Sequence, residues 1–416
     1  MQNKEKYIRT HQYIINRWKE GLRTNSNPDY PLPFPFEPPC VDGEFQCLFY
    51  WDTFFTNRGM ILDGCFEYAK YNTDNLIYLL NKYGYVPNSN SFPGLKNSQP
   101  PYLQYMIRDI YEVSKDDEWL KNAYFSLKKE YDFWMTQRMT PIGLNQYLHC
   151  EKTKQDDINY YDYVCTRLPL LDKNAPEEYK VKVGRGYHAV GESGLDYSPR
   201  FHIYGTDLVE ADLNAHLYSM EGYLAKLAHK FEPTIESTFI NTQLKRKELM
   251  DKYLLCDDGL YYDYNFVKGC IQQRDFNFTG QFLPFIVGIS SNKDAITKLL
   301  TGVEFSHGIA STGVYNYDFE YQWAYPFSWP PDNALAFWAL IKLGMKKDAE
   351  RVGIKYLEMC SSSFEKNHHL WECYSATYEG KAKKREYANT EMLGWTAGVY
   401  QWIYYDLFLD KKVNYE

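Results

Sequence analysis

The chain has 416 residues, with 54 acidic against 46 basic side chains and a net charge of −8. No basic stripe is present to meet phosphates, which argues against a nucleic-acid partner. No run approaches the ~18–20 apolar residues of a membrane span, so no membrane partner is expected.

Residues 1–25 carry an apolar helical stripe through Tyr13, Ile14 and Trp18. Pro28, Pro31, Pro33, Pro35, Pro38 and Pro39 then force an extended passage. Its interleaved Leu32, Phe34 and Phe36 suggest an arm (residues 1–43 with the first helix) packed on the body rather than a linker. Helices are expected over about 57–83, 101–114, 118–138, 207–230, 236–255, 292–302, 332–343, 346–360 and 391–408, several as pairs joined by short turns. Long loops rich in Gly, Pro and aromatic residues separate the pairs, at 84–100, 140–205, 257–291, 304–331 and 361–390. Loops beyond about 12–15 residues are usually functional or disordered, and these are too aromatic to be disordered. The pattern predicts an all-α toroid of paired helices, one domain over 1–416, with function carried on loops at one side.

The aromatic content is the compositional outlier, with 40 Tyr, 24 Phe and 10 Trp. Such rings serve core packing, and they also suit a sugar site, where C–H faces lie on rings and hydroxyls meet polar edges. The nine cysteines (Cys40, Cys47, Cys65, Cys150, Cys165, Cys256, Cys270, Cys360 and Cys373) are odd in number and form no CxxC, so neither a metal site nor a disulfide framework is expected. With no apolar run behind Met1–Lys6, a reducing, cytoplasmic compartment is expected.

Two runs hold a carboxylate among small, aromatic and hydroxylic residues: Glu192-Ser193-Gly194-Leu195-Asp196-Tyr197-Ser198 and Leu370-Trp371-Glu372-Cys373-Tyr374. Two carboxylates across a pocket suit glycosidic cleavage, one protonating the leaving oxygen and the other acting on the opposite face of the sugar. Other runs accompany them in order: Phe45, then Phe49-Tyr50-Trp51-Asp52; Gly84-Tyr85-Val86-Pro87-Asn88; Ser98-Gln99-Pro100-Pro101; Asp212 to Tyr218; Gln322-Trp323-Ala324-Tyr325-Pro326; Glu386-Tyr387; and Gly394-Trp395.

In this order and spacing, over about residues 44–400, the chain resembles the trehalase family of glycoside hydrolases. The resemblance implies an (α/α)6 barrel with small β-hairpins on the active-site side, an inverting mechanism without a cofactor or metal, and a small carbohydrate as partner. It places the general acid on Asp196 and the general base on Glu372. It assigns sugar contacts to Phe45, Trp51, Asp52, Asn88, Gln99, Arg185, His188, Glu192, Gln322, Trp323, Glu386 and Trp395. Glu192 is a candidate for raising the pKa of Asp196 as well as for holding its loop.

The chain also departs from the family pattern. Arginines expected around the two sugar rings read Glu44, Asn97 and His188, while Leu195, Ala324 and Cys373 replace a Trp, an Asp and a Lys. Asn, His and Glu cannot reproduce the rigid donor fork of arginine. The expectation is therefore a hydrolase of trehalose or a related α-glucoside with altered binding groups; Arg58, Arg200 or Arg274 could compensate in space. Glucosyl- or mannosylglycerate, an oligosaccharide end, and a carbohydrate binder without turnover are the alternatives. The sequence leaves the oligomeric state open.

Overall fold

The computed structural model describes residues 2–24, 27–92, 94–150, 153–168, 171–316, 321–383, 390–391, 394–413 and 415. The chain begins with α1 (Gln2–Gly21), α2 (Tyr50–Leu62), α3 (Phe66–Tyr83), α4 (Leu103–Ser114) and α5 (Asp117–Gln137). An inserted pair follows, α6 (Lys154–Arg167) and α7 (Glu177–Glu192), then β1 (Leu208–Val209) and α8 (Ala211–Phe231). Next come α9 (Glu236–Tyr253), β2 (Tyr264–Asn265), β3 (Cys270–Ile271), the one-turn α10 (Leu283–Ile286) and α11 (Lys293–Val303). The chain closes with β4 (Phe327–Ser328), α12 (Pro330–Lys342), α13 (Lys346–Asn367), β5 (Tyr374–Ser375) and α14 (Gly394–Tyr404).

These helices form the expected (α/α)6 barrel. Helices α2, α8, α12 and α14 are buried on almost every face, which places them in the inner ring with α4 and α10. Helices α1, α3, α5, α9, α11 and α13 form the outer ring, keeping one apolar stripe inward. Short turns at the far end join each inner helix to the next outer one, and the long connections return to the N-terminal ends of the inner helices. Two small antiparallel sheets, β1-β2-β3 and β4-β5, stiffen those connections.

Local chemistry explains most element ends. Asp116 accepts from the N–H groups of Glu118 and Trp119 to start α5, and Asn292 does the same for α11. Pro330 and Pro331 occupy the first turn of α12, where a missing N–H costs nothing. Along the proline-rich passage, Asn75 of α3 bonds the backbone of Phe34 and Pro35, Asn72 takes the Glu37 N–H, and Phe36 is buried.

Two expectations need correction. The single helix expected over 57–83 is two, broken by a tight turn at Asp63–Cys65 whose N–H groups fold back on Gly59, Ile61 and Met60. The loop expected over 140–205 contains α6 and α7. Their signals were a capping box, Thr153 with Asp156, and Pro176 ahead of Glu177-Glu178. Glycines inside α7 hid its helical character. Gly184 is required there by close approach, since a Cβ would lie 2.0 Å from the Asp157 carbonyl oxygen on α6.

Candidate active site

The N-terminal ends of the inner helices surround a cavity of about 160 Å³. Trp51 and Asp52 come from the first turn of α2, Gln99 from just before α4, Trp329 from the cap of α12, and Trp395 from the start of α14. Asp196 arrives from the turn after α7 and Glu372 from the loop before β5. Phe45, Asn88, Gln322 and Trp323 join them, so ten of the fourteen residues expected from sequence line this one cavity.

Backbone bonds hold the lining in register. Trp51 N–H donates to Gln99 Oε1 at 3.0 Å, which commits that oxygen and leaves the amide N–H₂ for a ligand. Tyr50 N–H donates to the Asn88 carbonyl at 2.9 Å, and Asn88 N–H to that of Asn97 at 2.8 Å. Four tryptophans form the apolar wall. Trp323 stacks on Trp329 with centroids 4.1 Å apart, and Trp395 meets Trp51, Trp323 and Trp329 edge-on. Gly194 is needed beneath Trp51: its φ is +72°, and a Cβ there would lie 3.0 Å from the indole.

The carboxylates differ in setting. Asp196 is open to cavity water yet lies deep within the protein, and burial pushes its carboxyl up to about 6. Glu372 is buried; its N–H donates to the Thr390 carbonyl at 3.0 Å, and its own carbonyl accepts from Trp395 Nε1 at 3.2 Å. Asp52 is pushed up to about 7, mainly by burial and secondarily by the charge of Glu372. Tyr374, expected near Glu372, instead supports the Trp371 backbone through its hydroxyl.

A second, wider chamber of about 610 Å³ meets the first, sharing Phe49, Asn88 and Asp196 with it. Its other walls include Ser89, Ser91, Phe92, Lys96, Asn97, Tyr160 and His188. Tyr160 stacks on His188 at 3.9 Å, and His188 Nδ1 lies 3.2 Å from Asp157 Oδ1. Sequence reasoning missed Phe49, Trp329 and Tyr160 as lining residues. Phe49 and Trp329 stood inside motifs already noted; Tyr160 lies on the unrecognised α6 and gave no signal.

Two expected sugar contacts lie elsewhere. Glu192 is fully buried and never reaches the cavity. It pairs with Arg138 through Nε at 2.7 Å and Nη2 at 2.8 Å, and accepts from the N–H groups of Ser98 and Leu148. Arg185 is half-exposed and pairs with Asp157 at 2.9 Å, lining neither chamber. Glu386 lies outside the described residues. The compensating arginines are also engaged elsewhere: Arg58 with Asp109, Arg200 with both Asp212 and Asp263, and Arg274 with Asp257. Among the described residues, neither chamber is lined by arginine.

Comparison with known proteins agrees with this architecture. The trehalase family model matches residues 3–405. The chain is 27% identical to the periplasmic trehalase of Xanthomonas oryzae pv. oryzae over 422 residues, covering 93% of this chain and 72% of that protein. It is 28% identical to the periplasmic trehalase of Pseudomonas aeruginosa over 391 residues, covering 89% of this chain and 70% of that one. Among solved structures, the neutral trehalase of Saccharomyces cerevisiae superposes with a TM-score of 0.73 at 21% identity, covering 94% of this chain and 78% of that one. A mannosylglycerate hydrolase from Thermus thermophilus gives a TM-score of 0.61 at 17% identity, covering 93% and 99%. The Xanthomonas and Pseudomonas relatives are named as periplasmic trehalases, which overturns the expected cytoplasmic location. That expectation leaned on an absent signal and an odd cysteine count, and Cys40, Cys165, Cys360 and Cys373 are simply buried in the fold.

Proposed function

The chain belongs to the trehalase family of glycoside hydrolases, and from that premise we propose that it hydrolyses a small α-linked glucoside, trehalose foremost, with inversion of configuration. The glycone occupies the inner cavity, with its C–H faces on the tryptophan wall and its hydroxyls on Asp52, Asn88, Gln99 and Gln322. The leaving group occupies the wider chamber.

The observation that carries this reading is the position of Asp196. It lines both chambers, where the bridging oxygen would lie, whereas Glu372 lines the inner cavity alone. A general acid must reach the leaving oxygen, and a general base must reach water on the opposite face of the glycone. The raised pKa of Asp196 supports a proton held for donation, and Glu372, which lines the inner cavity alone, is placed to act on a water at the glycone.

Proton NMR of the purified protein with trehalose, kojibiose, maltose and glucosylglycerate tests the proposal. Initial release of β-glucose from trehalose, abolished by Asp196→Asn and by Glu372→Gln, is expected. Because the leaving ring of trehalose keeps its α configuration, inversion gives β- and α-glucose in equal initial amounts; initial release of α-glucose without β-glucose would refute inversion, and full activity of either variant would refute its assigned role.

A further inference from the structure

At the barrel end away from the catalytic cavity, the C-terminal halves of α4, α8 and α12 enclose a separate cavity of about 500 Å³. It shares no lining residue with either chamber of the site. Its floor is apolar: Tyr105, Tyr223, Trp338 and Ile286 are all buried. Its walls carry the cations Arg108, Lys226, Lys230 and Lys342 against one carboxylate, Glu112. Lys230 shares its charge with Asp117, and Glu112 is offset by Lys115 at 2.9 Å. In a chain of net charge −8, this local excess of cations in a concave apolar setting opposes the overall balance.

Arg108 is held in place by both helices it bridges. Its Nη2 donates to Gln104 Oε1 on its own helix, and to the Ser219 carbonyl at 3.1 Å and hydroxyl at 3.3 Å on α8. Its guanidinium lies 4.4 Å over the Tyr223 ring and 5.5 Å over that of Tyr105. A fixed planar cation thus sits against aromatic faces, with Lys226, Lys230 and Lys342 lining the same cavity. The volume falls within the ~300–1,000 Å³ of small-molecule pockets.

We propose that this cavity binds a small anionic ligand with a flat apolar body, the body lying against the aromatic floor and the anionic group meeting Arg108, Lys226 and Lys342. The occupant is set by chemistry: a planar ring system bearing a sulfonate, carboxylate or phosphate.

The probe is 1-anilinonaphthalene-8-sulfonate, titrated into the intact protein and followed by fluorescence. N-phenyl-1-naphthylamine, the same body without the sulfonate, is the neutral comparison. One saturable class of sites is expected for the sulfonate, with the neutral amine about tenfold weaker. The Lys226→Gln, Lys342→Gln double variant changes two exposed side chains, so its circular dichroism and glucoside hydrolysis stay unchanged. Its affinity for the sulfonate should fall about tenfold, and binding to the parent should weaken with added salt. Equal binding of the neutral amine, undiminished binding by the double variant, or no saturable binding would each overturn the proposal.

Discussion

Replacing Glu192 by Gln should destabilise the fold while leaving the pH dependence of turnover where it is. The carboxylate is fully buried, and Arg138 is only 3% exposed. Its two oxygens accept four bonds: two from the guanidinium at 2.7 and 2.8 Å, one from Ser98 N–H at 3.1 Å and one from Leu148 N–H at 2.8 Å. A Gln offers one acceptor and turns an N–H₂ toward the guanidinium, leaving a buried cation without its counter-ion. Breaking a buried pair this way costs about 3–5 kcal/mol, a large part of the ~5–15 kcal/mol that holds a typical protein folded. Arg138→Met alone should cost a similar amount. The Glu192→Leu, Arg138→Met double variant, with both charges gone, should be less destabilised than the sum of the single changes. Urea denaturation followed by circular dichroism reads the stability, and kcat/KM against pH reads the chemistry. A Glu192→Gln variant within 1 kcal/mol of the parent, with a shifted alkaline limb, would refute the reasoning and make Glu192 an electrostatic partner of Asp196.

Because burial raises the Asp196 carboxyl to about 6 and the proposed general acid must carry a proton to act, kcat/KM on trehalose should fall tenfold per pH unit above that point. With α-glucosyl fluoride, whose leaving group needs no proton, the limb should vanish and Asp196→Asn should retain turnover. Asp52→Asn should stabilise the fold in a pH-dependent way. The folded carboxyl is raised from 3.8 to about 7, so its penalty is absent below pH 4, grows as pH rises and is complete above 7, with an upper bound of about 4 kcal/mol. A difference between variant and parent that stays flat over pH 4–7 in thermal or urea unfolding would contradict this. Gly194→Ala places a Cβ 3.0 Å from the Trp51 indole at a φ of +72°, costing about 1–3 kcal/mol and lowering kcat/KM by displacing both Trp51 and Asp196. Parent-like kinetics would show that the wall is not tightly fitted.

Much of the barrel was readable because outer helices carry apolar stripes behind a polar cap, as in α5, which begins after the Asp116 cap, or α11, expected at 292–302 and found at Lys293–Val303 behind Asn292. The inserted α6–α7 pair was not readable, because its close packing requires glycine at a position where glycine argues against a helix. The cavity lining followed from motif order, since ten of the expected residues share one pocket. Glu192 did not follow. Spacing put it four residues from Asp196 and suggested a shared role, but its partner Arg138 lies 54 positions away and nothing local announces the pair. The same limit applies to Tyr160, which reaches the wider chamber only because α6 folds back on α7.

Among the described residues neither chamber is lined by arginine, which bears on how the proposed leaving group is recognised. Arg200 is the natural candidate for rescue, being near the acid loop in sequence. It spends four charge-assisted bonds on Asp212 and Asp263 while 1% exposed, so withdrawing it would strand two buried carboxylates. Arg58 is likewise committed, paired with Asp109 and enclosed by the rings of Phe54, Trp338 and Trp402. A rotamer change cannot deliver either guanidinium to the ligand. Among the described residues, the groups available for recognition in the wider chamber are Asn88, Asn97, the hydroxyls of Ser89 and Ser91, and the rings of Phe49, Phe92 and Tyr160, with Lys96 and His188 as its potential cations. Such a lining suits a neutral, hydroxylated leaving group presented edge-on to amides and face-on to rings. That is the chemistry of a second sugar, held by single hydrogen bonds where the family pattern would use planar forks.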